Sequence, residues 1–495
     1  MTITKRGFIC LAAGMLAASL FAGHHHHRPF PKGTPPGAYW CTKCGGDGYN
    51  WTWYGWKKTC GVCDGRGWLV KRLPPPPPPR PVAKPVPPPP HRPAPKPVKP
   101  TPPPPHHTGA PRRYVTGRLY LSHLACACAL GRTNDQILAN VRARSSAGMV
   151  SLFDDVPGRE ILFGMVPGEL PCVEEPEFDM RANRLLLLAV QNMRAELEAF
   201  IARHGAQRVA VVLGASNTGI DEAQRHVDRW LDEGTKPAEM YFSQIELGTP
   251  ADYLRRLLGV KGPAYVVSTA CSSSAKAFAA ARRLIAAGVV DAAVVGGVDG
   301  RCRFAMNGFH ALGALSQGLC RPLAPDRDGI NLGEGVALFT MEKAATSAAL
   351  PRGARGARAL PAGMVFFAGV GETSDAYHAT APDPEGRGAE AAMRAALADA
   401  GLVPTDIGYL NLHGTGTQAN DAMEMKAMRR VFGENFTAYE STKPFTGHCL
   451  GAAGAVEAAI CWLKLQAGDV VGAALSNSFA FGGSNASVLL ARENA

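Results

Sequence analysis

Short apolar runs alternate with amphipathic stretches through most of this chain. The runs at 119–130, 209–213 and 291–298 are rich in Val, Leu and Ala, a composition typical of strands buried on both faces of a sheet. An alanine-rich helix is predicted over 272–287, with Gly288 as the residue that ends it. The repeated alternation of strand and helix predicts a layered α/β body that begins near residue 114.

One cysteine stands where a strand turns into this helix. The β-branched run before Cys271 predicts a strand, and the serines after it open the predicted helix. The first N–H groups of a helix are unpaired and its dipole favours an anion, so this position favours a thiolate. A buried cysteine that only packs is the alternative interpretation.

Two histidines occupy similar settings further along the chain. His413 lies in a glycine-rich turn after the run 409–412, and His448 precedes an alanine-rich helix predicted over 450–467. Either histidine alone is compatible with a structural role. Because functional groups of α/β folds collect at strand ends, the two histidines together with Cys271 indicate a site.

The net charge of +11 is unevenly distributed. Residues 1–113 contain 17 Lys and Arg against 2 Asp and Glu, whereas the remainder contains 35 against 39. The body is therefore mildly acidic, and nothing in it indicates nucleic-acid binding. Eight of the 13 cysteines are scattered singly through the body, which favours a reducing compartment.

The N-terminal segment has three parts. Residues 1–23 have a basic start and an apolar run, as in a secretory signal peptide. Residues 36–72 contain two CxxCxGxG motifs. Residues 73–113, with 21 prolines, predict an extended linker.

The two CxxCxGxG motifs supply four thiols, at Cys41, Cys44, Cys60 and Cys63. This spacing predicts one tetrahedral structural zinc. Two disulfides in an exported protein are the alternative. The module resembles half of the cysteine-rich zinc region of DnaJ-type chaperones, which has four such repeats.

The body resembles the β-ketoacyl-ACP synthases of the thiolase superfamily, in the branch that uses one cysteine and two histidines. Within that branch it is most similar to the ketosynthases of aryl polyene pigment clusters, through residues 369–376 and 381–388. The motifs that carry the family resemblance are Ser268–Ala275, Asn331–Gly335, His413–Asp421, Ser441–His448 and Phe481–Asn485.

The resemblance implies a thiolase fold, a five-layer αβαβα sandwich built from two similar halves, here 114–360 and 361–495. It also implies acyl carrier protein as the partner that brings acyl and malonyl groups. The active chain would pair either with a second copy or with a chain-length factor. No cofactor is expected for catalysis.

The resemblance also implies roles for individual residues. Cys271 would hold the acyl chain, and His413 and His448 would stabilise the enolate formed from malonate. Lys443 would orient the histidine region. The N–H groups of Cys271 and Phe481 would form an oxyanion hole, and the Phe481 side chain would gate the acyl pocket.

Several other residues bear on this interpretation. Asp421, Glu424 and Glu457 are candidate functional acids, although an ion pair within its helix accounts equally well for Glu424. The resemblance gives Glu334 and Glu457 structural polar roles. Ala480 and Ser484 stand where the family often has glycine and threonine. These two differences affect the mobility expected of the Phe481 gate, but not the chemistry.

The N-terminal segment and the body imply different compartments. A signal peptide would export the chain, whereas carrier-protein thioesters are cytoplasmic. Synthesis from a start near Val115 would remove the conflict, and a fusion that tethers the synthase is the second possibility. The rival hypothesis is an exported zinc and polyproline interaction protein with a non-catalytic synthase-like scaffold. The intact set of one cysteine and two histidines argues against it.

Overall fold

The computed structural model describes residues 118–343 and 364–493, and four short strands near the N-terminus. Two antiparallel pairs join these four strands, β1 with β4 and β2 with β3. The signal-like segment 1–23, the linker 73–113 and the four predicted zinc ligands lie outside the described residues. The strands are β1 (Ala38–Trp40), β2 (Tyr49–Trp51), β3 (Lys57–Thr59) and β4 (Trp68–Val70).

The described part of the first half of the body spans Arg118 to Lys343. Its strands are β5 (Leu119–Cys128), β6 (Met149–Val156), β7 (Arg159–Gly164), β8 (Val209–Gly214), β9 (Ala264–Val267), β10 (Ala292–Asp299), β11 (Leu332–Gly333) and β12 (Gly335–Lys343). Its helices are α1 (Asn134–Arg142), α2 (Arg181–Asn192), α3 (Arg194–His204), α4 (Ile220–Glu233), α5 (Thr249–Leu257), α6 (Ser273–Ala286) and α7 (Arg303–Ala311).

The described part of the second half spans Met364 to Glu493. Its strands are β13 (Val365–Ser374), β14 (Ile407–Asn411), β15 (Tyr439–Glu440), β16 (Ala473–Ala480) and β17 (Ser484–Arg492). Its helices are α8 (Arg387–Ala400), α9 (Gln418–Phe432), α10 (Lys443–Thr446) and α11 (Ala453–Ala467), and a 3₁₀ turn at Leu450–Ala452 precedes α11.

The two halves repeat one strand order. The first half is ordered β9-β8-β10-β12-β5 and the second β15-β14-β16-β17-β13. If only the strands of this large sheet are counted along the chain, each half places its third, second, fourth, fifth and first strand side by side. Parallel and antiparallel pairings also correspond between the halves. A short antiparallel contact between β5 and β13 joins the halves into one ten-stranded sheet. β11, β7 and β6 form a separate small sheet.

Five layers follow from the helix contacts. α2 and α5 cover the outer face of the first half, α8 and α9 cover that of the second, and α6 and α11 lie between them. The outer face of each half has its own apolar cluster, and a third cluster surrounds the two central helices and reaches the sheet of both halves, because a helix buries its apolar face only against a sheet or another helix. The predicted five-layer αβαβα thiolase fold is confirmed.

The central layer is packed closely because its residues are small. Gly454 on α11 lies so near α6 that a Cβ atom there would come within 2.9 Å of the Ala275 Cβ. Small residues on two facing helices bring the helix N-termini, and the groups beside them, close together.

The predicted elements are present with shifted ends. The helix predicted over 272–287 is Ser273–Ala286, and Gly288 takes the left-handed φ of 71° expected at its end. The helix predicted over 450–467 begins as the 3₁₀ turn at Leu450–Ala452. Among the described helices, none is both long and apolar enough to cross a membrane.

Candidate active site

Cys271 lies in a tight turn between β9 and α6. The residue before it, Ala270, has a left-handed φ of 53°, a conformation that costs a non-glycine residue about 1–3 kcal/mol. The Ala270 carbonyl accepts hydrogen bonds from the backbone N–H and the hydroxyl of Ser273. These bonds hold the turn that brings the thiol to the start of α6.

The thiol is not a thiolate at neutral pH, in contrast to the expectation from the helix dipole. Burial raises the pKa of Cys271 to about 11, although the Lys443 charge and the backbone N–H groups of Phe481 and Cys271 act to lower it. Desolvation of the anion therefore outweighs the favourable dipole. The two N–H groups that favour a negative charge here are those predicted for the oxyanion hole.

His448 has a defined tautomer. Its Nδ1 accepts a hydrogen bond of 3.0 Å from the Leu450 N–H, so the neutral ring carries its proton on Nε2. Nε2 is buried and has no partner among the described residues. Burial, followed by the Lys443 charge, holds the pKa of His448 well below its usual value. The ring is thus a neutral N–H donor.

His413 is held by a buried carboxylate. Glu424 accepts hydrogen bonds from the backbone N–H groups of His413 (2.8 Å) and Gly414 (2.7 Å), and from the Asn477 amide. Burial, the Lys443 charge and His448 lower the pKa of His413 well below its usual value. The rings of His413 and His448 meet edge to face with centroids 5.2 Å apart. The second imidazole is therefore neutral as well.

These groups meet in one cavity of about 200 Å³. The sulfur of Cys271 and one ring nitrogen each of His413 and His448 lie within 4.8 Å of one another. A thiol faces two uncharged imidazoles there, which suits nucleophilic attack followed by stabilisation of an oxyanion. Thiolate and imidazole also bind zinc, and in the described part of the chain these are the side chains grouped closely enough to hold a metal ion.

Phe481 closes one side of the cavity. Its half-buried ring stacks on Phe309 with centroids 5.5 Å apart and an interplanar angle of 23°. Gly482 and Gly483 follow with φ angles of 82° and 73°, which only glycine adopts readily. A Cβ at Gly483 would also lie 2.9 Å from the Asp375 Cβ. The glycines thus permit the turn that directs the Phe481 N–H at the thiol.

Lys443 does not line the cavity. Its fully buried ammonium forms an ion pair of 2.5 Å with Glu457 on α11. The charge of Lys443 nevertheless lowers the pKa values of Cys271, His413 and His448. Its influence on the site is therefore electrostatic.

The buried acids differ in part from the sequence interpretation. Glu424 forms no ion pair among the described residues, and burial raises its pKa to about 7. The suggested ion pair is therefore wrong, and the carboxylate instead binds the turn of His413. Glu334 has the structural role implied, because it pairs with Arg181 and accepts from the Val166 N–H. Asp421 pairs with Arg327 at 3.4 Å.

Two contributors to the site were missed in the sequence. Asp299 ends β10 after two glycines and binds the turn that follows His448. Phe309 lies in the apolar helix α7 and supports the ring of Phe481. The Gly-Gly-Val-Asp sequence at a strand end was a possible signal for Asp299. The sequence pattern around Phe309 indicates only an apolar helix face. It does not reveal the contact with Phe481, because the two residues are far apart in the chain.

Comparisons with known proteins agree with this geometry. Residues 176–347 match the family "Beta-ketoacyl synthase, N-terminal domain" and residues 365–474 match "Beta-ketoacyl synthase, C-terminal domain". Nodulation protein E of Rhizobium sp. (strain N33) is 32% identical over 406 residues, which cover 74% of this chain and 98% of that protein. The 3-oxoacyl-[acyl-carrier-protein] synthase 2 of Staphylococcus aureus (strain COL) is 31% identical over 341 residues, 62% of this chain and 80% of that protein.

Solved structures show the same relationship. A ketosynthase, ApeO, in complex with its chain length factor, ApeC, from Xenorhabdus doucetiae is 39% identical with a TM-score of 0.69, covering 76% of this chain and 98% of that one. The ishigamide ketosynthase/chain length factor is 27% identical with a TM-score of 0.65, covering 76% and 99%.

The chain belongs to the β-ketoacyl synthase family. It is accordingly a condensing acyltransferase of fatty acid or polyketide-like synthesis.

Proposed function

We propose that this protein extends an acyl chain held on Cys271 by decarboxylative Claisen condensation with malonyl-acyl carrier protein. The observation that carries the proposal is the meeting of one thiol and two neutral imidazoles within 4.8 Å. Each half-reaction needs one part of that arrangement, a nucleophile for acyl transfer and N–H donors for an enolate.

In the first half-reaction the Cys271 sulfur attacks the thioester carbonyl of an acyl-carrier protein. A new carbon–sulfur bond forms, the carrier's sulfur leaves as a thiol, and the cysteine proton passes to it. Because burial raises the pKa of Cys271 to about 11, the proton leaves as attack proceeds. The N–H groups of Cys271 and Phe481 receive the negative charge that develops on the carbonyl oxygen.

In the second half-reaction malonyl-carrier protein loses carbon dioxide, and the bonding electrons pass into an enolate. The Nε2–H of His448, fixed by the bond to Nδ1, and the ring of His413 stabilise the enolate oxygen. The enolate carbon then attacks the acyl carbonyl on Cys271, the carbon–sulfur bond breaks, and the sulfur leaves as a thiolate that takes up a proton from solvent to restore the thiol. The product is a β-ketoacyl chain two carbons longer on the carrier protein, and the sequence of steps uses no metal or organic cofactor.

The partners follow from the same proposal. Acyl carrier protein delivers both substrates, and a chain-length factor or a second copy completes a dimer. Support comes from the related ApeO, which was solved in complex with its chain length factor. The dimer has a second support in the described sheet. Its edge in the first half is β9, whose residues are half-buried. A cytoplasmic location follows from these substrates, and the ApeO likeness favours aryl polyene synthesis.

For the N-terminal module we propose one structural zinc held by Cys41, Cys44, Cys60 and Cys63. Support comes from the thiol spacing and from the two strand pairs β1–β4 and β2–β3, which flank the cysteine motifs along the chain. Metal content of the purified chain by mass spectrometry should give about one zinc per chain. Replacement of Cys60 and Cys63 by serine should remove it, and an unchanged zinc content would refute the assignment.

The decisive experiment for catalysis uses intact-protein mass spectrometry. Incubation with a defined acyl-carrier protein should add the acyl mass to the wild-type chain and none to Cys271→Ala. Subsequent addition of malonyl-carrier protein should release the β-ketoacyl product. An acyl adduct that survives Cys271→Ala would overturn the proposal. A folded wild-type chain that takes up no acyl group from any carrier would favour the non-catalytic scaffold.

A further inference from the structure

Asp299 is a buried carboxylate whose described hydrogen bonds all come from neutral donors. It ends β10 and is 0% exposed. It accepts from the backbone N–H groups of Ser216 (3.0 Å), Asn217 (2.8 Å) and Gly451 (2.6 Å), and from the Ser216 hydroxyl (2.7 Å). A fully buried carboxylate is costly unless its oxygens are satisfied, and these four donors satisfy both oxygens of Asp299.

The Gly451 bond connects Asp299 to His448. Gly451 follows Leu450, which has a left-handed φ of 50°, and the N–H of Leu450 donates to His448 Nδ1. A non-glycine residue keeps this conformation only where its neighbours impose it. The carboxylate holds the residue next to Leu450, so it constrains the direction of the Leu450 N–H.

We propose that Asp299 is a positioning residue for His448. By holding Gly451 it keeps the Leu450 N–H on Nδ1, and this fixes both the orientation of the ring and the tautomer with its proton on Nε2. The role deepens the proposed function and rests on it, because the proton on Nε2 is the one offered to the enolate. Asp299 touches no reacting atom and acts through the 450–451 turn.

The chemistry of the contact requires a carboxylate opposite a glycine. All the groups around Asp299 donate, and a carboxylate only accepts. Asparagine would direct an amide N–H₂ at one of these N–H groups. A Cβ at Gly451 would lie 2.6 Å from Asp299 Oδ2 and also 2.7 Å from the backbone carbon of Ala215 and 2.8 Å from the Ser216 nitrogen, so alanine there displaces the carboxylate together with the 215–216 backbone that it binds. Asp299→Asn therefore breaks the hydrogen bond between Asp299 and the Gly451 N–H from the first half of the body, and Gly451→Ala breaks it from the second half.

The test measures the two half-reactions separately in the full chain. Asp299→Asn and Gly451→Ala should leave acylation of Cys271 within about twofold of wild type, while condensation with malonyl-carrier protein falls about 10²-fold, as for a misplaced catalytic group. Ser216→Ala is the matched control. It removes the hydroxyl bond to Asp299 and leaves the Gly451 bond, so both half-reactions should stay near wild type.

The double variant completes a thermodynamic cycle. If both changes act through one contact, Asp299→Asn with Gly451→Ala should lower condensation little further than either alone. Should Asp299→Asn not fold, Gly451→Ala tests the contact from the other side. Normal condensation in either folded variant, or an equal fall in both half-reactions, would overturn the inference. Absence of condensation in the wild type would instead refute the proposed function.

Discussion

The two halves of the body share one strand order but carry different chemistry. In each half, a helix of the central layer lies between the third and fourth strands. Cys271 stands just before that helix in the first half and His448 just before its counterpart in the second. The fold thus supplies two related positions at helix starts, and the residues placed there decide between a nucleophile and a hydrogen-bond donor.

The turns at these two positions are stabilised differently. The turn of Cys271 is closed by its own segment through the Ala270 carbonyl. The turn after His448 depends on Asp299 from the other half. A local turn can be preserved by its own residues, whereas the histidine turn depends on the packing of the halves. Substitutions should therefore separate acyl transfer from condensation.

The largest effect is expected where the nucleophile itself is changed. Cys271→Gln removes the sulfur, so acyl transfer and condensation should be abolished, but both imidazoles stay in place to stabilise the enolate. Decarboxylation of malonyl-carrier protein should therefore persist, which acetyl-carrier formation by mass spectrometry would show. Loss of decarboxylation together with condensation would contradict the division of tasks between the halves.

The converse change lies in the second half. His448→Ala removes the Nε2–H donor, and condensation should fall about 10²–10³-fold, as for the loss of an oxyanion donor. Acylation of Cys271 depends mainly on the N–H groups of Cys271 and Phe481, so it should stay measurable. Rapid-quench measurements of each half-reaction distinguish the two rates. Equal loss of both would show that His448 is needed for acylation of Cys271 as well as for condensation.

The buried ion pair behind the site gives the next effect. Lys443→Met leaves the Glu457 carboxylate unpaired, and removal of one partner of a buried pair typically costs about 3–5 kcal/mol. Urea denaturation should show this loss. Lys443→Met with Glu457→Leu serves as the control, because it removes both charges and should be closer to wild type. A single variant as stable as the wild type would be incompatible with the buried pair.

The ionisation of the thiol provides a pH test. A pKa of Cys271 raised to about 11 by burial means that the thiolate fraction rises about tenfold per pH unit up to that value. Alkylation by iodoacetamide, followed by peptide mass spectrometry, should rise with pH well beyond the point near 8.5 where a free cysteine levels off. A plateau of the alkylation rate near neutral pH would show that the helix dipole outweighs desolvation of the thiolate.

The smallest effect is expected at the gate. Phe309→Ala removes the ring that stacks on Phe481, a contact worth about 0.5–1.5 kcal/mol. Acylation by long chains should change by about 2- to 10-fold, while acylation by acetyl-carrier protein should change less. Leu312→Ala, which also lines the cavity, is the matched control for added volume. An equal response to both chain lengths would argue against a gate.

Much of the site could be predicted because its motifs are local. Each site residue stands in a short segment whose glycines, alanines and β-branched residues predict a turn between a strand and a helix or between two strands. These residues are Cys271, His413, His448 and Phe481. The ion pair considered for Glu424 was wrong because its partners are two backbone N–H groups and the Asn477 amide, which the sequence does not distinguish. The ionisation of Cys271 was also misjudged, since the dipole was visible in the pattern and the depth of burial was not.

The sequence by itself predicted the alternation of strands and helices and indicated Cys271, His413 and His448 as one site. The tertiary structure alone decided that both imidazoles are neutral, that His448 carries its proton on Nε2, and that Asp299 and Phe309 contact the turn after His448 and the ring of Phe481. The physical reason is that pattern and propensity act along the chain, whereas desolvation and hydrogen-bond geometry depend on groups brought together from distant segments.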